Sequence, residues 1–156
     1  MKNLIGTKTE QNLRDAFAGE CMANNKYVFY ASRARADGYQ QIAELFEETA
    51  KNEHEHAKIW FKLLHSGDMP ETAANLNDSA EGEYFEWHDM YDRMANEAES
   101  EGFTEIAELF RSIGAIEKEH EARYRKLITN LKDGLVFSRF EDCIWQCRNC
   151  GHIIIG

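Results

Sequence analysis

The sequence predicts an all-α protein, a four-helix bundle followed by a short β-like tail. Ten glycines and one proline in 156 residues are too few for the frequent turns of a β-sandwich. The long stretches without either residue carry apolar side chains at helical spacing. After Gly134 this pattern gives way to short β-like pieces around three cysteines. We therefore expect a helical bundle over residues 1–133 and a cysteine-bearing tail over residues 134–156.

The first two helices form the first half of the predicted bundle. Thr7 to Glu10 has the pattern of a capping box, so the first helix should begin at Thr7 and end at Gly38. The second helix should run from about Gln40 to His65. Because the connection between them is very short, the two helices must be antiparallel neighbours.

The third helix is predicted to follow a long connection. The stretch from Ser66 to Ala80 contains the one proline and several Asn, Asp and Ser residues, which favour turns. Its length suggests a crossover along the bundle. Asp78 or Ser79 can then cap a third helix that ends near Gly102.

The fourth helix completes the predicted bundle. It should start at the cap Thr104 and end at Gly134, with its apolar residues on one face. Three connections that are short, long and short in turn are typical of the ferritin-like four-helix bundle with one long crossover. We therefore expect that arrangement here.

The chain also contains an internal repeat. Gly38 to Phe46 matches Gly102 to Phe110 at an offset of 64 residues. The same offset relates three further pairs, Tyr27 with Tyr91, Glu53 with Glu117, and His56 with His120. Two copies of one helical hairpin that pack against each other would create a pseudo-two-fold site at the centre.

The repeated Glu-x-x-His motifs predict a metal site. Residues three apart leave a helix from nearly the same face, so Glu53 with His56, and Glu117 with His120, can each reach one ion. Both pairs lie on apolar seams, where a lone carboxylate would cost several kcal/mol to bury. A Glu from each of two helices plus two Glu-x-x-His motifs is the di-iron or di-manganese arrangement. The two extra glutamates are Glu20 and then Glu83 or Glu86.

The alternative for acidic residues is a solvated face or a buried Glu–His hydrogen-bond network. We adopt it for the glutamates that fall off the seams, which are Glu47, Glu48, Glu55, Glu105, Glu119 and Glu121.

Glu86 is an additional carboxylate one turn from Glu83, and its counterpart in the repeat is Met22. It could replace His56 on one metal when oxidation adds positive charge, because added charge favours a carboxylate over a neutral imidazole. The alternative is a supporting acid that never binds the metal.

The two repeated tyrosines differ in their distance from the candidate ligands. Tyr27 follows Glu20 by seven residues, whereas Tyr91 follows Glu83 by eight. We expect the third helix to hold one extra residue as a π-bulge between Glu83 and Tyr91. The tyrosines either contact a metal ligand or are core aromatic residues.

These residues resemble the rubrerythrin family over residues 1 to about 133. The resemblance is carried by Glu20 with Tyr27, Glu53-x-x-His56, Gly82-Glu83-x-x-Glu86 with Tyr91, and Glu101-Gly102-Phe103 followed by Glu117-x-x-His120. It implies that two irons are surrounded by Glu20, Glu53, Glu83, Glu86, Glu117, His56 and His120. It also implies that His56 and Glu86 exchange on one iron with oxidation state. Manganese or zinc could substitute for iron.

The activity that the resemblance implies is the reduction of hydrogen peroxide to water. The residues expected to take part are Glu86, His56, Tyr27 and Tyr91. The electrons would come from a rubredoxin-type or flavoprotein donor, and the protein would be a homodimer or a larger homo-oligomer. The alternative function is a ferritin-type ferroxidase or iron-storage protein.

The tail from Cys147 to His152 resembles the first cysteine knuckle of a rubredoxin domain. Such a centre needs four thiolates around one iron, and this sequence shows one Cys-x-x-Cys pair, Cys147 and Cys150. The missing ligands could lie in a longer chain or in a second copy, or Cys143 could join an incomplete site. A metal-free tail is the remaining alternative.

Charge and hydropathy limit the partners. Eighteen Lys and Arg against 28 Asp and Glu give a net charge of -10, which opposes binding to phosphate backbones and anionic lipid surfaces. No apolar run approaches the roughly 20 residues of a membrane span, and the first residues lack a signal-peptide pattern. We therefore expect a cytoplasmic protein that binds neither nucleic acid nor membrane.

Overall fold

The computed structural model describes residues 3–138 and 141–156, and it divides the chain into two compact units, Met1–Pro70 and Glu71–Gly156. The first unit contains α1 (Lys8–Ala36) and α2 (Gln40–Leu64). The second contains α3 (Thr72–Phe85), a π turn (Glu86–Met90), α4 (Tyr91–Ser100), α5 (Thr104–Lys132), β1 (Ile144–Gln146) and β2 (Ile153–Ile155). The predicted fold class is confirmed, because the chain is all-α with four helical rods and a short two-stranded tail. None of the helices in these described ranges is long and apolar enough to cross a membrane.

The first helix begins at the predicted cap. The Thr7 hydroxyl accepts a hydrogen bond from the backbone N–H of Glu10 at 3.1 Å. The Glu10 carboxylate accepts from the backbone N–H of Gly6 at 2.8 Å, one residue earlier than in the standard capping box. Two backbone donors at the start of α1 are thereby satisfied, which fixes where the helix begins.

Alanines make the closest contacts between α1 and α2. Ala31 and Ala34 of α1 are buried, as are Ala43, Ala50 and Ala57 of α2. Helical spacing in the sequence places Ala31 and Ala34 on the inward face of α1, as found. It also places Ile42 on the inward face of α2, but Ile42 is 48% exposed within this hairpin. Small side chains allow two helices to approach closely.

The second hairpin, formed by α3, the π turn, α4 and α5, repeats this alanine contact. Ala95, Ala98 and Ala107 are buried and stand 64 residues after Ala31, Ala34 and Ala43. In both hairpins a glycine with positive φ ends the first rod, Gly38 at 87° and Gly102 at 88°. The N–H of the next residue then bonds back across the helix end, from Tyr39 to Ala34 and from Phe103 to Ala98. The sequence repeat therefore corresponds to two repeated structural features, the way the first rod of each hairpin ends and the alanine contact between its two rods.

An exposed ion pair joins the two rods of each hairpin, with the charges reversed. In the first hairpin Arg35 pairs with Glu47. The equivalent positions in the second hairpin hold Glu99 and Arg111, which also pair. The repeat therefore preserves the contact while it exchanges the signs.

The third rod begins earlier than predicted. α3 starts at Thr72 after Pro70, and the cap residue Glu71 has an extended backbone. The residues taken as turn formers lie inside the helix, where Asn77 donates from its side chain to the carbonyl of Ala73 at 2.6 Å. Likewise Thr104 is the first residue of α5, since the cap position is Phe103 and makes no side-chain capping bond.

The predicted π-bulge is confirmed. Residues Glu86–Met90 form a π-helical turn, and the backbone N–H of Tyr91 bonds to the carbonyl of Glu86, five residues earlier. α1 is α-helical throughout the equivalent stretch from Glu20 to Tyr27. The extra residue is thus accommodated locally, without a break in the third rod.

Gly114 lies where the π turn and the start of α4 approach α5. A Cβ at this position would lie 3.3 Å from Tyr91 Cβ and 4.0 Å from Trp87 Cα. The equivalent residue in the first hairpin, which has no π turn, is Ala50. Glycine therefore makes room in α5 for the wider turn opposite it.

Gly114→Ala and Gly19→Ala should change stability in opposite directions. A Cβ at Gly19 meets nothing within 4 Å among the described residues, so alanine there should stabilise α1 by roughly 0.5–1 kcal/mol. At Gly114 the crowding against Tyr91 should outweigh this gain and destabilise the protein by about 1 kcal/mol or more. Urea denaturation measures both free energies of unfolding. Equal stabilisation by the two variants would contradict the close approach.

The tail folds as a small antiparallel hairpin. β1 and β2 pair with Trp145 opposite Ile154. Between the strands, the backbone N–H of Cys147 donates to His152 O, and the Gly151 N–H donates to Cys147 O, both at 2.8 Å. The cysteines Cys147 and Cys150 are exposed and free. The predicted domain boundary between residues 133 and 134 stays a prediction.

Candidate metal site

The first hairpin brings Glu20, Glu53 and His56 together. One ligand atom from each lies within 4.8 Å of the others. His56 Nδ1 lies 2.9 Å from Glu53 Oε2, on the same face of α2, and 3.8 Å from Glu20 Oε1 on α1. The Trp60 indole N–H donates to Glu20 Oε1 at 3.5 Å, which helps to orient that carboxylate. We call these three residues the first ligand group.

The second hairpin repeats this arrangement with Glu83, Glu117 and His120, the second ligand group. His120 Nδ1 lies 2.6 Å from Glu117 Oε2 and 3.5 Å from Glu83 Oε2. The carboxylates of both groups are partly buried, with side-chain exposures of 14–25%. The two hairpins thus present the same three donor types in the same relation.

The donor chemistry of both groups fits a bound cation. Across residues 3–138 and 141–156, no lysine or arginine forms an ion pair with any of these four glutamates. Carboxylates with an imidazole nitrogen suit iron, manganese and zinc. Each group therefore concentrates negative charge that a metal ion would neutralise.

The concentrated negative charge of the second group affects the pKa of Glu83. Burial raises the pKa of Glu83 above its ordinary value, and a hydrogen bond with Glu117 and the charges of Glu117 and Glu86 raise it further. His120 acts in the opposite direction. The metal-free group therefore favours a proton between its carboxylates, where a cation would take its place.

Glu83→Gln should stabilise the metal-free protein at neutral pH. A carboxyl whose pKa is raised on folding contributes stability below its unfolded pKa, ordinarily 4.5, and loses it as the pH rises through the folded value. The gain from glutamine should therefore be present at about pH 7 and fade below about pH 4.5. Urea denaturation with a chelator present measures it. The exposed control Glu119→Gln should show no such pH-dependent gain.

The remaining predicted site residues lie beside these groups. Tyr27 stacks on Phe46 and Tyr91 packs against Phe110, each with 6.0 Å between ring centroids. Burial, then the charges of Glu86, Glu117 and Glu83, raise the pKa of the Tyr91 hydroxyl. Tyr91 and Glu86 therefore share the electrostatic field of the second group, although Glu86 is not one of its three converging residues.

Glu121 differs from both alternatives given for the off-seam glutamates, because it lies neither on a solvated face nor in a Glu–His network. It is 9% exposed, and among the residues that the structure describes it is the one charged residue that is buried. The Trp87 indole N–H donates to Glu121 Oε2 at 2.7 Å, and Arg125 Nε donates to Oε1 at 2.5 Å. Burial would raise the pKa of Glu121, but the bonds from Arg125 and Trp87 hold that pKa below its ordinary value. Sequence reasoning missed this residue because its partner Trp87 comes from another rod.

The turn between β1 and β2 directs backbone N–H groups at the sulfur of Cys147. Backbone N–H groups of Cys150 and Asn149, and then the Cys150 side chain, lower the pKa of the Cys147 thiol. Peptide N–H groups directed at a sulfur favour the thiolate, which is the form that binds metal. The tail therefore favours deprotonation of Cys147, the form that binds metal, relative to an ordinary thiol.

Comparisons with known proteins show the family to which this chain is similar. A family model described as Rubrerythrin matches residues 11–128. The chain is 48% identical over 164 residues to a rubrerythrin of Porphyromonas gingivalis, covering 98% of this chain and 82% of that protein. It is 44% identical to rubrerythrin-1 of Clostridium acetobutylicum, covering all of this chain and 88% of that protein. It is 43% identical to a rubrerythrin of Nitratidesulfovibrio vulgaris, with 100% and 87% covered. The similarity extends over the tail as well as the helices.

Proposed function

This chain belongs to the rubrerythrin family, and on that basis we propose that it is a non-haem di-iron peroxidase that reduces hydrogen peroxide to water. The family consists of di-iron oxidoreductases of oxidative-stress defence. The single observation that carries the proposal is the pair of matching Glu, Glu and His groups, one in each hairpin. We propose that each group supplies ligands to one iron ion.

The reaction needs two electrons and two protons for each peroxide. Two ferrous ions, when bound, would each supply one electron and act as a Lewis acid while the O–O bond breaks to give two water molecules. The electrons would be replaced by a rubredoxin-type or flavoprotein donor.

The residues of the chain would hold the ions and manage the protons. Glu53 and Glu117 lie against His56 and His120, so each imidazole keeps Nδ1 directed at its group. The raised pKa keeps the Tyr91 hydroxyl protonated, so it can donate a hydrogen bond to peroxide oxygen. Glu86, whose charge acts on Tyr91, is the proposed proton carrier. The exchange of His56 for Glu86 on one iron stays a prediction.

The Cys147 and Cys150 pair is proposed as half of a four-thiolate iron centre. The support is the lowered pKa of the Cys147 thiol and the backbone turn that holds it. The other two thiolates would come from outside this pair. Such a centre would receive electrons from the donor and pass them to the di-iron site.

The test uses the full chain, purified and reconstituted with ferrous iron without oxygen. We expect about two irons in the helical groups and peroxide consumption that depends on a reduced rubredoxin or flavoprotein. Two molecules of water should form for each peroxide, without release of oxygen. Fewer than two irons, or no donor-dependent consumption, would contradict the proposal. A shell-sized particle with a mineral core on size-exclusion chromatography would indicate iron storage instead.

A further inference from the structure

The second hairpin departs from the repeat on one face of α5. Among the positions at which α2 and α5 differ, three lie on this face, where Ala50, His54 and Ala57 of α2 correspond to Gly114, Lys118 and Glu121 of α5, and a fourth is Phe61, which corresponds to Arg125. Gly114 lies against Tyr91 and Trp87, and Glu121 bonds to Trp87. These departures therefore surround the π turn, a feature that the first hairpin lacks.

The Glu121 carboxylate is fully engaged at this place. One oxygen accepts the Trp87 indole N–H at 2.7 Å, and the other accepts Arg125 Nε at 2.5 Å. Arg125 also bonds to Glu81 on α3 at 3.3 Å, and Lys118 Nζ lies 4.9 Å from the centre of the Trp87 ring. A buried carboxylate with both oxygens bonded in this way is costly to disturb, because loss of one partner leaves charge unpaired.

This network ties the π turn to the helix that carries two candidate ligands. Trp87 is the second residue of the π turn and directly follows Glu86. On α5, Glu121 directly follows His120. A π turn is rare and needs support from its surroundings, and the bond from the indole to a neighbouring helix restricts rotation of the turn about its axis.

We propose that Glu121 is a positioning residue that acts through Trp87. It holds the π turn against α5 and thereby fixes the directions in which Glu86 and Glu83 point. The effect on ligand direction rests on the proposed function, because it concerns residues proposed to bind or serve the metal. The hold on the backbone does not depend on a metal.

The first experiment measures amide hydrogen exchange by NMR in the metal-free full chain. Trp87→Phe removes the indole donor but keeps an aromatic ring, and Glu121→Gln removes the charge at nearly the same volume. Both should speed exchange of amides 87–91 about tenfold, while those of α1 and α2 stay unchanged. The double variant should show no larger effect than Trp87→Phe alone, because Trp87→Phe removes the indole donor of the same bond whose charged acceptor Glu121→Gln replaces with a weaker amide oxygen.

Glu119→Gln is the matched control. Glu119 is exposed and flanks His120 on the other side, so this variant removes the same charge at the same sequence distance without breaking the network. Its amide exchange should equal that of the native chain. This control separates loss of the hydrogen bond from loss of negative charge near the ligands.

The second experiment titrates the same proteins with cobalt(II) and records visible absorption. We expect Trp87→Phe and Glu121→Gln to weaken cobalt binding at the second group about tenfold or more and to change the absorption bands, which report ligand geometry. Glu119→Gln should match the native chain in both respects. A purely global loss of stability would speed exchange in all helices alike and would leave the absorption bands unchanged.

The outcomes separate this inference from the proposed function. Unchanged exchange at residues 87–91 overturns the hold on the π turn. Faster local exchange with native cobalt affinity and spectrum overturns the positioning role. If the native chain binds no cobalt, the proposed function fails, and the exchange result alone then decides whether Glu121 holds the turn.

Discussion

A chain with both Glu53→Ala and Glu117→Ala is expected to retain no iron in its helical groups after anaerobic reconstitution. These glutamates have the least exposed side chains in their groups, at 17% and 14%, and each lies against the histidine one turn away. Their removal leaves one carboxylate and one imidazole per group, too few donors to hold an iron ion firmly. Peroxide consumption should fall to background with the metal. Elemental analysis and a peroxide assay measure both effects.

Single variants and a surface control sharpen this result. Glu53→Ala and Glu117→Ala alone should each lose about one iron. The double variant Glu55→Ala/Glu119→Ala changes the same number of carboxylates on the same two helices, but at exposed positions outside the groups. It should retain both ions. Two tightly held irons in the Glu53→Ala/Glu117→Ala chain would show that the ligand groups are wrongly assigned.

Glu86→Ala should have a different effect. The variant should keep most of its iron, but peroxide should oxidise that iron more slowly. Glu86 lies outside the three converging residues of the second group, yet its charge acts on both Glu83 and Tyr91. Removal of a residue in this position should slow peroxide-driven oxidation roughly 10- to 100-fold. Stopped-flow absorption of the anaerobically loaded, reduced protein measures the rate directly.

Asp89→Ala is the control for Glu86→Ala. Asp89 belongs to the same π turn, is exposed, and pairs with His88. Its removal changes the charge of the turn by the same amount without touching the ligand groups, so oxidation should stay near the native rate. An oxidation rate for Glu86→Ala equal to the native rate would refute the proposed role of Glu86.

The Glu and His pair that each ligand group takes from a single helix could be predicted from sequence because its geometry is local. The spacing of Glu53 with His56 depends only on the helix that carries both residues, and the repeat transfers it to the second hairpin. The π turn was predictable for a similar reason, since one extra residue between Glu83 and Tyr91 must be absorbed within that stretch.

The features that could not be predicted depend on contacts between rods. The bonds of Glu121 could not be predicted because they require Trp87, which the helical pattern of α5 does not contain. The burial of Ala43, Ala50 and Ala57 on α2 was not predicted, because these side chains present little apolar surface. The start of α3 at Thr72 was missed because Asn77 and its polar neighbours favour turns, although inside a helix their side chains can bond to carbonyls one turn back.

The reversed ion pairs have a consequence for how this chain selects its own helix partners during folding. Two hairpins of similar sequence invite mispairing, since the buried Ala31, Ala34 and Ala43 of the first hairpin match Ala95, Ala98 and Ala107 of the second. If α1 paired with α5 in place of α2, Arg35 would face Arg111, and α4 with α2 would set Glu99 against Glu47. Like charges at these positions disfavour both wrong pairings. The ion pairs therefore favour α1 with α2 and α4 with α5 over the two exchanged pairings.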